Sequence, residues 1–301
     1  MMEQIEKLKK EKDIAILAHY YTDGQIQALA DYVGDSYYLS KIATEIPQST
    51  ILFCGVSFMG ESAKLLNPEK TILMPDTYSD CPMAHMADVD EIERIRKETT
   101  DLAVVCYVNS TAEIKAHSDV CVTSSNALQI VKSLPNHNIY FIPDGNLGSY
   151  LAGKIKEKNF ILSDGFCHVH TSITVDNVKR AKEVYPKAGV LAHPECTREV
   201  LELADYIGST SGIIDYATKS DGEEFIICTE MGVLYELELK NPGKRFFSVG
   251  HRQFCPNMKK ITVGKVLEQL QNMTNVVELE EELCSKANKP LERMLELANK
   301  H

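Results

Sequence analysis

The feature that most constrains this chain is that it contains one passage three times. Ala192-His193-Pro194-Glu195-Cys196 is followed by Ala204-Asp205-Tyr206-Ile207-Gly208-Ser209-Thr210. The same passage, degenerate, reads Ala18-His19-Tyr20-Tyr21 and then Ala30-Asp31-Tyr32-Val33-Gly34-Asp35-Ser36. It reads again as Cys106-Tyr107-Val108-Asn109 and then Ser118-Asp119-Val120-Cys121-Val122-Thr123-Ser124. In each copy a polar ring (His19, Tyr107, His193) is followed 12 positions later by Asp and 17 positions later by a hydroxyl. Each copy continues through an apolar run and a Met-Gly or Leu-Gly pair to a cysteine, and these cysteines, Cys81, Cys167 and Cys255, stand 86 and 88 residues apart. A fixed period of this size marks an internally repeated architecture. The chain therefore divides into repeats at 1–86, 87–172 and 173–259, with a tail at 260–301.

Within a unit, short apolar runs alternate with helical patterns. Ile14 to Ala18 reads as a fully buried strand, Gln25 to Asp31 as a helix, 32–34 as a very short strand and Ser36 to Glu45 as a helix. Strand 51–54, helix 58–66 and strand 71–74 complete the first unit. Strands at 103–107, 119–122, 139–142 and 160–162, with helices at 89–97, 126–133 and 147–155, repeat it. The third unit runs from a helix at Val175 to Val184 to a strand at Arg245 to Val249. Strands alternating with helices predict parallel sheets covered on both faces. The expected fold is α/β: three homologous αβα domains in pseudo-threefold arrangement, their site at the central junction. The tail reads as helices at Val263 to Gln271 and Leu283 to Asn299, Pro290 marking a fresh start, packed across the units or at a dimer contact.

Composition narrows the function. A net charge of −11 is a poor match for nucleic acid, whose phosphates need a basic surface. No apolar run reaches the ~18 residues that cross a bilayer, and the N-terminus lacks a signal-peptide core, so a cytoplasmic protein is expected. Nine cysteines, an odd number without C-x-x-C spacing, argue against disulfides, a zinc ribbon or a thioredoxin-type pair.

In parallel αβα layers, ligands bind beyond the carboxyl ends of strands, near helix N-termini. His19, Tyr107 and His193 fall at such ends, and Ser36, Ser124 and Thr210 fall where the second strand gives way to a helix. A hydroxyl there can cap the helix, and the free N–H groups beside it can hold an anion. Threefold symmetry brings Tyr21, Asn109 and Glu195 together as well. The set can bind a small polyanion and offer proton-transfer groups of different acidity.

Three unit-terminal thiolates meeting at the axis can hold zinc or a [4Fe–4S] cluster. With only three protein ligands, a cluster keeps one iron open to act as a Lewis acid. Cys54, Cys106, Cys121, Cys228 and Cys284 read as buried small hydrophobes, and Cys196 stands beside Glu195. His170, three residues after Cys167, borders the cysteine site. His85 and His251 neighbour cysteines more distantly, and His117, His137, His168 and His301 read as surface or loop residues.

His19-Tyr20-Tyr21, Gly34-Asp35-Ser36, Asp80-Cys81-Pro82-Met83-Ala84, Tyr107-Val108-Asn109-Ser110, His193-Pro194-Glu195-Cys196, Gly208-Ser209-Thr210 and Cys255-Pro256-Asn257-Met258-Lys259 resemble the quinolinate synthase family over essentially the whole chain. The resemblance implies three αβα domains and one [4Fe–4S] cluster per chain on Cys81, Cys167 and Cys255. It implies condensation of iminoaspartate (iminosuccinate), supplied by an L-aspartate-oxidising enzyme, with dihydroxyacetone phosphate. The products are quinolinate, phosphate and water, on the de novo route to NAD. Carried over by motif, His19, Ser36, Tyr107, Val108, Asn109, Ser124, His170, His193, Pro194, Glu195 and Thr210 contact substrate. Tyr21, Glu195, Tyr107 and His193 carry the catalytic roles, and the protein is a monomer or homodimer. One departure is His168 after Cys167, where the family pattern has Pro. An aconitase-type hydro-lyase and a non-catalytic metal or anion receptor are the other readings that these residues leave open.

Overall fold

A computed structural model describes residues 1–250 and 253–299. Among the described residues twelve strands form three sheets of four, all parallel. The first holds β1 (Ile14–His19), β2 (Tyr32–Gly34), β3 (Thr50–Cys54) and β4 (Thr71–Leu73) in the order β2-β1-β3-β4. The second holds β5 (Leu102–Tyr107), β6 (Val120–Val122), β7 (Asn138–Ile142) and β8 (Asn159–Leu162) in the order β6-β5-β7-β8. The third holds β9 (Gly189–Ala192), β10 (Tyr206–Ile207), β11 (Glu224–Cys228) and β12 (Arg245–Ser248) in the order β10-β9-β11-β12. Every residue of β1 is buried, as expected of a strand covered on both faces.

The repeated Asp explains why the three sheets share one register. Leu17 pairs with Tyr32, Val105 with Val120 and Leu191 with Tyr206. One residue before each partner, the Asp carboxylate accepts from the first strand: Ile16 N to Asp31 at 2.8 Å, Val104 N to Asp119 at 2.7 Å, Val190 N to Asp205 at 2.8 Å. The Asp backbone N–H returns a bond to the same residue's carbonyl. Hydrogen bonds to a charged group contribute about 1.5–3 kcal/mol each, enough to pin strands of two or three residues that packing alone would let slide.

Each chain path moves outward from the first strand, then reverses across it to the third, so the switch point lies beside the first strand's carboxyl end. His19 and Tyr107 close β1 and β5, and His193 directly follows β9. The helices after the second strands begin where the spacing predicts, but the caps are the preceding residues. Asp35 accepts from Tyr38 N and Ser209 from Gly212 N. Ser36 and Thr210 occupy the first helical position, so their hydroxyls are spared that duty.

Two short helices, Ala112–Ala116 and Arg198–Leu201, fall between first and second strands where no helix was expected. At five and four residues they are too short to show a period. The tail crosses the units. Val263–Asn272 buries Val266 and Leu270 with Ile5 of the N-terminal helix. Residues 275–277 then pair with the β4 edge, through Met74 N to Asn275 O at 3.0 Å and Val277 N to Ile72 O at 2.8 Å. Glu281–Ala298 is one continuous helix, so Pro290 marks no fresh start. The ring removes one backbone bond, but Ala287, Pro290, Leu291 and Met294 are buried along one face, and that apolar contact holds the helix through the break.

Candidate functional site

The three switch points open onto one cavity. His19, Tyr21, Ser36 and Cys81 line it from the first unit. Tyr107, Asn109, Ser124 and Cys167 do so from the second, with His193, Glu195, Thr210 and Cys255 from the third. His170 also lines it. So does half-buried His168, read from the sequence as a surface or loop residue, at the start of the short helix His168–Thr171. Val108 and Pro194 are buried in the chain between lining residues. His251 and His301 lie outside the described residues.

The two strand-end histidines are held alike. The backbone N–H two residues on donates to the ring: Tyr21 N to His19 Nδ1 at 3.1 Å, Glu195 N to His193 Nδ1 at 3.3 Å. Burial pushes both imidazoles down to about 3, against the opposing pull of Glu195. At neutral pH both rings are therefore uncharged. With Nδ1 accepting, the proton sits on Nε2, and each ring is a hydrogen-bond donor. His193 Nε2 meets Ser124 Oγ at 3.1 Å.

A continuous polar chain runs beside them. Tyr107 OH donates to Glu195 Oε1 at 2.5 Å, and Glu195 Oε2 lies 2.7 Å from His170 Nδ1. His170 Nε2 is 2.9 Å from Thr229 Oγ1, which is 2.9 Å from Tyr21 OH, itself 2.8 Å from Thr210 Oγ1. Burial alone would raise Glu195, but His170 and the Tyr107 bond outweigh it and hold the carboxyl below its usual range. The same enclosure, with Glu195 close by, drives the Tyr21 and Tyr107 phenols well above 10. The chain thus ends in a carboxylate on one side and a protonated phenol on the other. Thr229, fully buried, is the member that the repeat conceals, because the matching positions are Gly55 and Pro143. Asn109 Oδ1 is buried with no hydrogen-bond partner among the described residues, an acceptor awaiting a donor from a ligand.

The three cysteines each begin a tight turn that folds backbone N–H groups onto sulfur. Met83 and Ala84 serve Cys81, His170 serves Cys167, and Asn257 and Met258 serve Cys255. Burial pushes the Cys81 thiol up to about 12 and the other two upward, while those N–H groups work the other way. Without a cation the thiols keep their protons; a soft metal centre would take the protons' place and gain sulfurs already supplied with donors. One soft donor from each unit, each with N–H groups at sulfur, fits an iron–sulfur cluster. Cys167, His170 and Glu195 also bring donor atoms within 4.8 Å of one another, a second grouping able to hold an ion. Cys54, Cys106, Cys121, Cys196 and Cys228 are buried, and Cys284 is half-buried on the tail helix.

Residues 3–296 match the family described as NadA, quinolinate synthetase A protein. A protein named quinolinate synthase from Fusobacterium nucleatum is 54% identical, over 99% of this chain and 99% of its own length. Proteins of the same name from Clostridioides difficile and Caldicellulosiruptor bescii are each 49% identical, over 98% of this chain and 97% of theirs.

Proposed function

The chain belongs to the quinolinate synthase family, and from that membership we propose that it condenses iminoaspartate with dihydroxyacetone phosphate. Quinolinate, phosphate and two waters leave, on the de novo route to NAD. The observation that carries this reading is the single cavity in which three thiols, one per unit, face a buried Glu–His–Thr–Tyr chain. Cys81, Cys167 and Cys255 would hold a [4Fe–4S] cluster. When bound, such a cluster supplies an open iron as Lewis acid.

The remaining roles follow from the side chains. The Nε2–H groups of His19 and His193, with Ser36, Ser124 and Thr210, bind the substrate carboxylates and phosphate. The N-termini of helices Ser36–Glu45 and Thr210–Lys219 add positive potential that an acidic chain otherwise lacks. Asn109 Oδ1 accepts from the substrate nitrogen. Val108 and Pro194 contribute backbone contacts. Glu195, ionised and oriented by Tyr107, removes a carbon-bound proton; Tyr21, protonated, delivers one to a leaving or carbonyl oxygen. His170 and Thr229 return protons between them through bonds of 2.7, 2.9 and 2.9 Å. Domain limits at 86/87, 172/173 and 259/260, a cytoplasmic location, an aspartate-oxidising enzyme as supplier of the imine, and a monomer or homodimer belong to the same proposal. Among the described residues no helix is long and apolar enough to cross a membrane.

The test is anaerobic. Reconstituted protein should carry roughly four iron and four sulfide per chain and form quinolinate, followed by chromatography, only when imine and triose phosphate are both present. A loaded protein that forms none with both substrates overturns the reading.

A further inference from the structure

We propose that Asp80 and Glu230 are positioning residues for the metal centre, each fixing the turn of one cysteine through that cysteine's own backbone N–H. The inference rests on the cluster reading above. Cys81 N donates to Asp80 Oδ1 at 2.8 Å, and Cys255 N donates to Glu230 Oε1 at 3.0 Å. In the second unit the matching carboxyl is Asp144, whose Oδ1 takes Leu147 N at 2.8 Å as the cap of helix Gly145–Lys154, while Oδ2 is buried without a hydrogen-bond partner among the described residues.

The two acceptors do not come from one repeat position. Asp144 and Glu230 both stand two residues past the end of the third strand, after Ile142 and Cys228. The matching residue in the first unit is Val56, and there the carboxylate comes from Asp80 instead, next to the cysteine itself. Asp80 is steadied by Ser57 Oγ and by His85 Nε2 at 2.7 Å. The same contact reached from two sequence positions points to a requirement of the cysteine turns rather than to inheritance of the fold. Glu230 is fully buried, and besides Cys255 N its other oxygen takes Gly232 N at 2.5 Å. Glu230 does more. Its Oε1 is 3.6 Å from Lys259 Nζ, which also reaches Tyr21 O at 3.1 Å, so the Cys255 turn and the Tyr21 turn share one strut.

The experiment follows iron release from the reconstituted full chain to bathophenanthroline disulfonate under anaerobic conditions. Asp80 is partly exposed, so Asp80→Ala should fold, checked by circular dichroism of the metal-free chain. Losing an outer partner of a ligand typically costs about 10–100-fold in metal affinity. Asp80→Ala should therefore release iron faster by a comparable factor, and Asp80→Asn, which keeps an acceptor oxygen, should restore most of the retention. Glu230→Ala should be labile and Glu230→Gln largely rescued. If the parent chain takes up no iron, the cluster reading itself falls and this inference with it. If the parent is loaded and Asp80→Ala releases iron at the parental rate, or Asp80→Asn is as labile as Asp80→Ala, only the positioning role is overturned.

Discussion

The neutral state of His19 and His193 has a thermodynamic consequence that needs no substrate to measure. An imidazole in an unfolded chain titrates near 6.5, whereas burial holds these two at about 3 in the fold. Above pH 6.5 neither state binds the proton and the pair contributes nothing to the pH dependence. As pH falls below 6.5, the unfolded chain takes up two protons that the folded chain refuses, so stability is lost. At pH 5 the loss is about 2 kcal/mol per imidazole, about 4 kcal/mol together. Glu195 stays ionised through this window and does not offset the loss; burial lowers half-buried His168 as well, which adds to it, and raises the carboxyls of Asp144 and Glu230, which works the other way. Urea unfolding of the metal-free chain at pH 8, 7, 6 and 5 reads the effect directly. His193→Gln, which keeps a polar side chain of similar reach but cannot titrate, should remove its share, about 2 kcal/mol, between pH 7 and 5. A His193→Gln profile parallel to the parent's would show that the ring is not buried neutral, because the carboxyls shift both profiles alike. The assignment of an Nε2–H donor there would then be refuted.

Other perturbations separate the parts of the site. Cys81→Ala, Cys167→Ala and Cys255→Ala should each abolish iron uptake, whereas Cys54→Ala and Cys228→Ala should keep iron and cost about 1 kcal/mol of stability, read by urea titration. Thr229→Val keeps the shape but cuts the link between His170 and Tyr21. We expect kcat to fall by about 100-fold or more with iron content unchanged; parental kcat would remove Thr229 from the proton path. Asp119→Ala leaves the buried Val104 N–H without its acceptor and should destabilise by about 1–3 kcal/mol, with no effect on iron per folded chain.

The repeat made the three sheets and the meeting of His19, Tyr107 and His193 legible because both depend on backbone spacing, which the repeat preserves. The Asp 12 positions on was visible but unexplained until its bond to the first strand was seen. What the sequence concealed is of another kind. Thr229 matches Gly55 and Pro143, so symmetry offers no pointer to it. His168 lines the cavity beside Cys167, a placement that no periodicity reveals. The sequence left the hydroxyls at 36 and 210 open as caps or as ligand contacts; Asp35 and Ser209 take the capping role one residue earlier, because the Ncap residue precedes the first helical turn. Pro290 reads as a break because local propensity opposes it; the buried face of Glu281–Ala298 overrides that preference.

Symmetry and function are divided between backbone and side chain. The Asp–strand bonds and the N–H groups at sulfur recur in all three units because they serve the main chain, where any loss would misplace a sheet or a ligand turn. The cavity positions have diverged on that constant frame. His-x-Tyr and His-x-Glu keep an identical bond from the i+2 N–H to Nδ1, so exchanging Tyr21 for Glu195 changes acidity without moving the ring. The middle unit has no imidazole at its strand end. Its Tyr107 instead gives its hydroxyl to Glu195 of the next unit, and the buried oxygen of Asn109 has no hydrogen-bond partner among the described residues. A strictly symmetric pocket would present three equivalent groups and could not tell one carboxylate of a small diacid from the other. Here each direction from the axis differs in charge, proton content and donor sense, so an asymmetric substrate has one orientation in which all three sides are satisfied.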